Sequence, residues 1–208
     1  MSKPPNKITV LLIAAALLSA CGVPSTTVKP DDTEAGSQVS GKTARKAAPL
    51  PASAKAAFDR ALWSAKAGRD QEAIDLFRQM SKDNPDIAVV YTNLGLLYLK
   101  KGDMEAAQKA LEQSISLDPG DALALNHLGV ALREQGKFQE SQTAYLQAIK
   151  VDDSYADAHL NLGILYDLYL QQLPKALQQY QRYQELTGSK DQTVAKWIVD
   201  LQRQADAK

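Results

Sequence analysis

The sequence of 208 residues contains one cysteine, Cys21. That excludes a disulfide framework and any cluster of thiolates around a metal. Charge of one sign is missing too. Lys3 and Lys7 are the only charged groups in the first twenty residues, and without them 22 basic residues face 24 acidic ones. This balance does not fit a strongly basic nucleic-acid binder. Only one apolar run, near the N-terminus, is a candidate for the bilayer, which excludes a polytopic membrane protein. The two histidines, His127 and His159, lie 32 residues apart without metal-ligand spacing. No Ser-centred nucleophile motif occurs, and the acidic residues are spread over what read as solvated helix faces. The expectation is a protein that is not an enzyme and needs no cofactor, metal or nucleic acid. A short export signal, a linker and one domain of about 150 residues, enough for a single core, account for the length.

The apolar run is Ile8 to Leu18, preceded by Lys3 and Lys7 and followed by the small residues Ser19 and Ala20. A charged start, a short apolar stretch and a small-residue cleavage zone make a secretory signal over residues 1–20. Eleven residues are too few to cross about 30 Å of hydrocarbon comfortably as a helix. An ordinary cleaved signal or a short anchor would fit these features. Leu18-Ser19-Ala20-Cys21 adds something sharper, because it resembles the lipobox of bacterial lipoproteins. That resemblance implies lipid on the Cys21 thiol, cleavage before Cys21 and acylation of the new amino group. Several chains satisfy the requirement that stable anchoring takes more than one. Gly22 stands where, in enteric-type sorting, an Asp would favour the inner membrane. The resemblance therefore implies the periplasmic leaflet of the outer membrane.

Residues 21–52 read as the lipidated cysteine and a disordered tether. From Gly22 to Ala52 there are four prolines, three glycines and no aromatic residue, too little apolar surface to offset the entropy of ordering. A flexible chain of 31 residues has a root-mean-square reach of about 30 Å. Gly36 to Thr43 matches the phosphate-loop pattern G-x-x-x-x-G-K-S/T. That chemistry needs a strand before the loop and a helix after it. Lys29-Pro30-Asp31 lies upstream and Pro49 downstream, so no nucleotide site is expected, and substituting Lys42 should leave the folded domain unchanged.

From residue 53 the sequence repeats every 34 residues. Tyr91, Leu94, Gly95 and Tyr98 return as Leu125, Leu128, Gly129 and Leu132, then as His159, Leu162, Gly163 and Tyr166. Gly68, Gly102 and Gly136 keep the same interval, as do Phe77, Leu111 and Tyr145. This pattern resembles the tetratricopeptide repeat, or TPR. In the second unit the pattern predicts helix A from about Asp86 to Lys101, a turn at Gly102-Asp103 and helix B over Met104 to Leu117. Gly95 and Ala107 would be small because two helices approach closely there. The expected fold is all-α: a right-handed α-solenoid of about four helix pairs (53–87, 88–121, 122–155 and 156–188) with a C-terminal capping helix within 189–208.

The end units depart from the pattern. Ala57, Arg60, Ala61 and Ser64 stand in the first unit where the others carry an aromatic or Leu, Leu, Gly and an aromatic or Leu, as suits a terminal cap with a more polar outer face. The fourth has Leu170 in place of the turn glycine and one extra residue before Pro174, which is expected at the first position of its helix B. Tyr166, Tyr169, Tyr180 and Tyr183 serve either as core or as a binding wall. Val194, Trp197, Ile198 and Leu201 predict a final amphipathic helix with Asp191 as its N-cap.

The TPR resemblance implies a groove lined by the A helices, at repeat positions 2, 5, 6, 9, 12 and 13. Among those positions the candidate peptide-binding residues are Asn93, Leu96, Lys100, Asn126, His127, Val130, Arg133, Leu160, Asn161 and Ile164. Asparagine both donates to and accepts from a peptide backbone, and an apolar strip runs beside the asparagines. Position-6 Asn is also common in the repeat for structural reasons. Position 2 supplies Val89, Leu123 and Asp157. A lysine–asparagine–arginine clamp for a terminal carboxylate is not expected, since only Lys100 and Arg133 approach it and Glu134 weakens their field. Lipobox, tether and short array together resemble pilotin lipoproteins of type IV pili and TPR lipoproteins beside proton-driven envelope motors. That architecture implies an outer-membrane adaptor or assembly factor facing the periplasm, which binds a protein or peptide segment of an envelope complex. The alternative is a self-associating lipoprotein that supports envelope integrity.

Overall fold

The computed structural model describes residues 50–206. The signal segment, Cys21, the phosphate-loop look-alike and nearly all of the tether lie outside the described residues. The described chain is all helical: α1 (Ala52–Lys66), α2 (Asp70–Asp83), α3 (Ala88–Lys101), α4 (Met104–Leu117), α5 (Ala122–Glu134), α6 (Phe138–Val151), α7 (Ala156–Ile164), α8 (Leu173–Leu186) and α9 (Gln192–Asp206). Consecutive helices pack as four pairs, each B helix also touches the A helix of the next pair, and α9 packs on α8. The result is the expected α-solenoid with a helix on its last pair.

Local chemistry explains the boundaries. Asp103, Asp121 and Asp191 cap α4, α5 and α9, their carboxylates accepting from the amides of Ala106 (3.0 Å), Ala124 (2.9 Å) and Val194 (3.1 Å). The second A helix starts at Ala88 rather than near Asp86, because Pro85 and Asp86 form the turn that leads into it. It ends at Gly102, whose φ of +81° is a left-handed conformation that a side chain resists.

In the second, third and fourth pairs, a glycine on the A helix receives a large residue of the B helix. A Cβ on Gly95 would meet Leu111 Cγ at 2.4 Å, one on Gly129 would meet Tyr145 Cε1 at 2.5 Å, and one on Gly163 would meet the Tyr180 ring at 2.6 Å. Leu111, Tyr145 and Tyr180 are completely buried there, as is Phe77 in the first pair. Burying each such side chain contributes about 1.5–3 kcal/mol. The tetrad of tyrosines in the fourth pair belongs mainly to this packing: Tyr166 and Tyr180 are buried, Tyr169 lies against Phe138 at 4.8 Å, and Trp197 covers Tyr180 at 5.4 Å. Val194 and Leu201 bury the rest of the α9 stripe.

The extra residue of the fourth pair has a specific location. Gly95 and Gly129 precede their partners Leu111 and Tyr145 by 16 residues, whereas Gly163 precedes Tyr180 by 17. α7 absorbs the difference by running on as a π-helical turn, Leu165–Tyr169, in which the Leu170 amide donates to the Leu165 carbonyl at 3.0 Å. Gln171 then takes φ +53° and reverses the chain. Leu173 is the first residue of α8, so Pro174 occupies the second position and not the first. The ring is still tolerated in a first turn, where the amide has no intrahelical acceptor.

Candidate functional site

α3 touches α5, and α5 touches α7, so the A helices form one continuous face. Its most exposed apolar groups are Val89 at 41% and Leu123 at 40%, the position-2 residues of the second and third pairs. Leu96, Val130 and Leu160 are partly buried beside them and extend a strip across three pairs. Val89 and Leu123 fall outside the narrower set of ten candidates. Their signal was present in the sequence, as apolar residues at a position that the repeat turns outward.

The ten candidates separate by depth. Asn93, Leu96, His127, Val130 and Leu160 are partly buried and Lys100 is exposed, whereas Asn126, Arg133, Asn161 and Ile164 are buried. The buried asparagines join pairs to one another. The Asn161 amide donates to the Asn126 side-chain oxygen at 3.0 Å, and the Asn126 amide points to the Tyr155 hydroxyl at 3.4 Å. One pair earlier, Thr92 donates to the Asp121 carboxylate at 2.8 Å and lies 2.7 Å from the Ser114 hydroxyl. Such bonds satisfy polar groups that would otherwise be desolvated without a partner. Asn93 differs. Its amide donates to the Val89 carbonyl at 2.7 Å within its own helix, and the side chain remains partly exposed.

The cations are engaged as well. Lys100 reaches the Asp70 carboxylate at 2.7 Å, tying α3 to the start of α2. Arg133 sends Nε and Nη2 to Glu134 at 3.4 and 3.1 Å, and its buried Nη1 has no hydrogen-bond partner among the described residues. At the centre of the face, desolvation lowers the pKa of His127 to about 4, only partly opposed by the Asp121 charge. His127 therefore presents a neutral imidazole near neutral pH. Burial also raises the Asp157 carboxyl above its ordinary range. The face offers apolar contact framed by neutral hydrogen-bonding groups, with Lys100 and Arg133 each paired to a carboxylate. Among the described residues no group of three or more His, Cys, Asp or Glu is placed to hold a metal ion.

Two profiles of the tetratricopeptide repeat match residues 86–154 and 131–190, which together span half of the chain. The chain belongs to the tetratricopeptide-repeat family. Solved structures of similar fold include MamA, at 25% identity and TM-score 0.60, covering 64% of this chain and 73% of that one. PilF of Pseudomonas aeruginosa is 20% identical with TM-score 0.65, covering 74% of this chain and 69% of that one. YrrB, described as a TPR protein with an unusual peptide-binding site, is 21% identical with TM-score 0.61, covering 71% of this chain and 74% of that one. No curated protein sequence matches this TPR chain closely enough to count as a relative. TPR arrays are protein-interaction scaffolds, and this one has the paired helices and the continuous A-helix face on which such scaffolds depend.

Proposed function

We propose that this protein is a lipid-anchored adaptor of the bacterial envelope, tethered through Cys21 to the periplasmic face of the outer membrane. Its A-helix face binds a segment of another envelope protein. One observation carries the binding half of this reading: Val89 and Leu123 stand exposed in line on successive A helices, beside Leu96, Val130 and the partly exposed Asn93. Exposed apolar groups aligned in this way fit a partner segment that inserts side chains at regular spacing. The lipobox-like Leu18-Ser19-Ala20-Cys21 supports the anchored half, and its place ahead of a short repeat array fits a pilus or secretion assembly. A tethered scaffold raises its partner's effective concentration at the membrane.

The experiment is in-cell photo-crosslinking from position 123, with the captured chain identified by mass spectrometry. A single envelope protein, lost when Val89→Asp is added, supports the adaptor. A product made only of two copies of this chain favours the self-associating alternative. Separately, Cys21→Ser should move the protein from the membrane to soluble or precursor fractions. Unchanged membrane retention overturns the anchor.

A further inference from the structure

Although the chain is neutral overall, its charge is strongly segregated. Residues 42–69 hold seven basic side chains (Lys42, Arg45, Lys46, Lys55, Arg60, Lys66 and Arg69) against one acid, Asp59. Residues 70–208 hold 14 basic against 20 acidic side chains. The basic stretch comprises α1 and the segment leading into it.

α1 also turns an unusual face outward. In the later pairs, the third residue of the A-helix frame is Val90, Ala124 or Ala158, the seventh is Leu94, Leu128 or Leu162, and the tenth is Leu97, Ala131 or Leu165. All but Leu128, which is partly buried, are buried in the array. In α1 the corresponding residues are Ala56, Arg60 and Trp63, and all three are exposed. Trp63 is the most exposed large apolar residue described, at 60%, with the Arg69 guanidinium 4.0 Å above its ring. Arg60 and Arg69 share a single carboxylate, Glu72, at 3.8 and 3.3 Å, so the cations outnumber their local counter-charge. A preceding helix pair would need leucine-like residues at the seventh position, and Arg60 stands there instead.

We propose that this end of the array, α1 with Arg69 beside its Trp63 ring, rests on a surface of anionic phospholipid headgroups. An indole flanked by long cationic side chains suits the boundary between water and acyl chains, where the ring is half-immersed and the cations meet phosphates. The acidic remainder of the array is repelled by the same surface, which fixes the orientation: α1 toward the lipid, α9 away from it. In the order of the chain α1 is the first described helix after Cys21, so a lipid anchor at Cys21 would be joined to the array through this end. The inference rests on the anchored reading for that last point only. The charge and exposure at α1 are independent of it.

The test uses the full chain carrying Cys21→Ser, which cannot be acylated at that thiol, with vesicles of phosphatidylcholine alone or with added phosphatidylglycerol. The test protein also carries Lys3→Ser and Lys7→Ser, so that any insertion of Ile8 to Leu18 lacks its cationic flank and is common to both vesicle types and all variants. Phosphatidylglycerol should raise partitioning by about ten-fold or more, and added salt should reduce the gain. The gain should vanish in Arg60→Glu with Arg69→Glu, and should fall several-fold in Trp63→Ala. Equal binding to both vesicle types, or a gain indifferent to both variants, overturns the proposal, whatever partner those cations then serve. Failure of the anchor shows instead as unchanged fractionation of Cys21→Ser in cells, so the two outcomes are distinguishable.

Discussion

The Asn161 side chain donates to Asn126 across the boundary between the third and fourth pairs, at 3.0 Å. Both residues are buried, so the bond holds the array together where a row of asparagines would otherwise read as a ligand-binding ladder. Asn93, one pair earlier, has no such cross-pair bond among those described and keeps partial access to solvent.

Replacing Asn126 with Ala should therefore destabilise the protein by about 1–3 kcal/mol, because it leaves the Asn161 amide buried without its acceptor. Asn126→Ala combined with Asn161→Ala should cost less than the sum of the two. Urea denaturation of the four members of this cycle measures the coupling, and strict additivity would contradict a direct bond.

Gly129→Ala should destabilise by about 1–3 kcal/mol, because the new methyl group meets the buried Tyr145 ring rather than a flexible chain end. Gly102→Ala meets nothing within 4 Å, yet should still cost about 1 kcal/mol through its left-handed backbone. Adding Tyr145→Ala should relieve the first substitution and leave the second untouched. Thermal melts of the double variants distinguish the two mechanisms.

His127 imposes a pH dependence whose sign is set by its lowered pKa. The unfolded chain takes up a proton near pH 6.5, and the folded one only near pH 4. The stability contributed by the neutral ring is therefore complete above about pH 6.5 and is lost as the pH falls towards 4. His127→Asn, which places at this position the residue found at Asn93 and Asn161, should flatten the decline between those limits. Denaturant midpoints across that range provide the check, and an unaltered slope would exclude His127 as its source.

Trp197→Ala should cost about 1–3 kcal/mol by uncovering Tyr180, since the indole is itself only partly buried. Amide exchange should then quicken in α8 and α9 before it does in α3, since neighbouring pairs contribute semi-independently. Uniform quickening along the array would contradict a local lid.

The pairing of helices was legible in the sequence because glycine and large residues alternate at a fixed interval, and because a helix that buries one stripe needs a partner. The close helix approach at Gly95 and the Asp191 cap could be placed from spacing alone, whereas the side chain that fills the approach, Leu111, emerged only from the structure. Depth within the A-helix face could not. Thr92 and Asn126 occupy the same repeat position and both are buried, each bonded to a side chain before the next A helix, Asp121 or Tyr155, that the repeat does not specify. Arg133 was expected to meet a ligand and instead lies buried against Glu134, a neighbour in sequence whose orientation no periodicity specifies. The start of α8 was misplaced by one residue because Leu173, before the proline, already adopts the helical turn.

The π-helical turn at Leu165–Tyr169 has a consequence for any molecule that lies along the A helices. A π turn winds more slowly than an α turn, so the added residue is taken up inside Leu165–Tyr169 and is not passed on as a rotation. Side chains up to Ile164 sit on α-helical turns like those of α3 and α5, whereas Asp167 and Leu168, the counterparts of Leu99, Lys100, Arg133 and Glu134, sit on the widened turn. A ligand that follows the shared spacing of the A helices therefore meets a broader rung at the far end of the fourth.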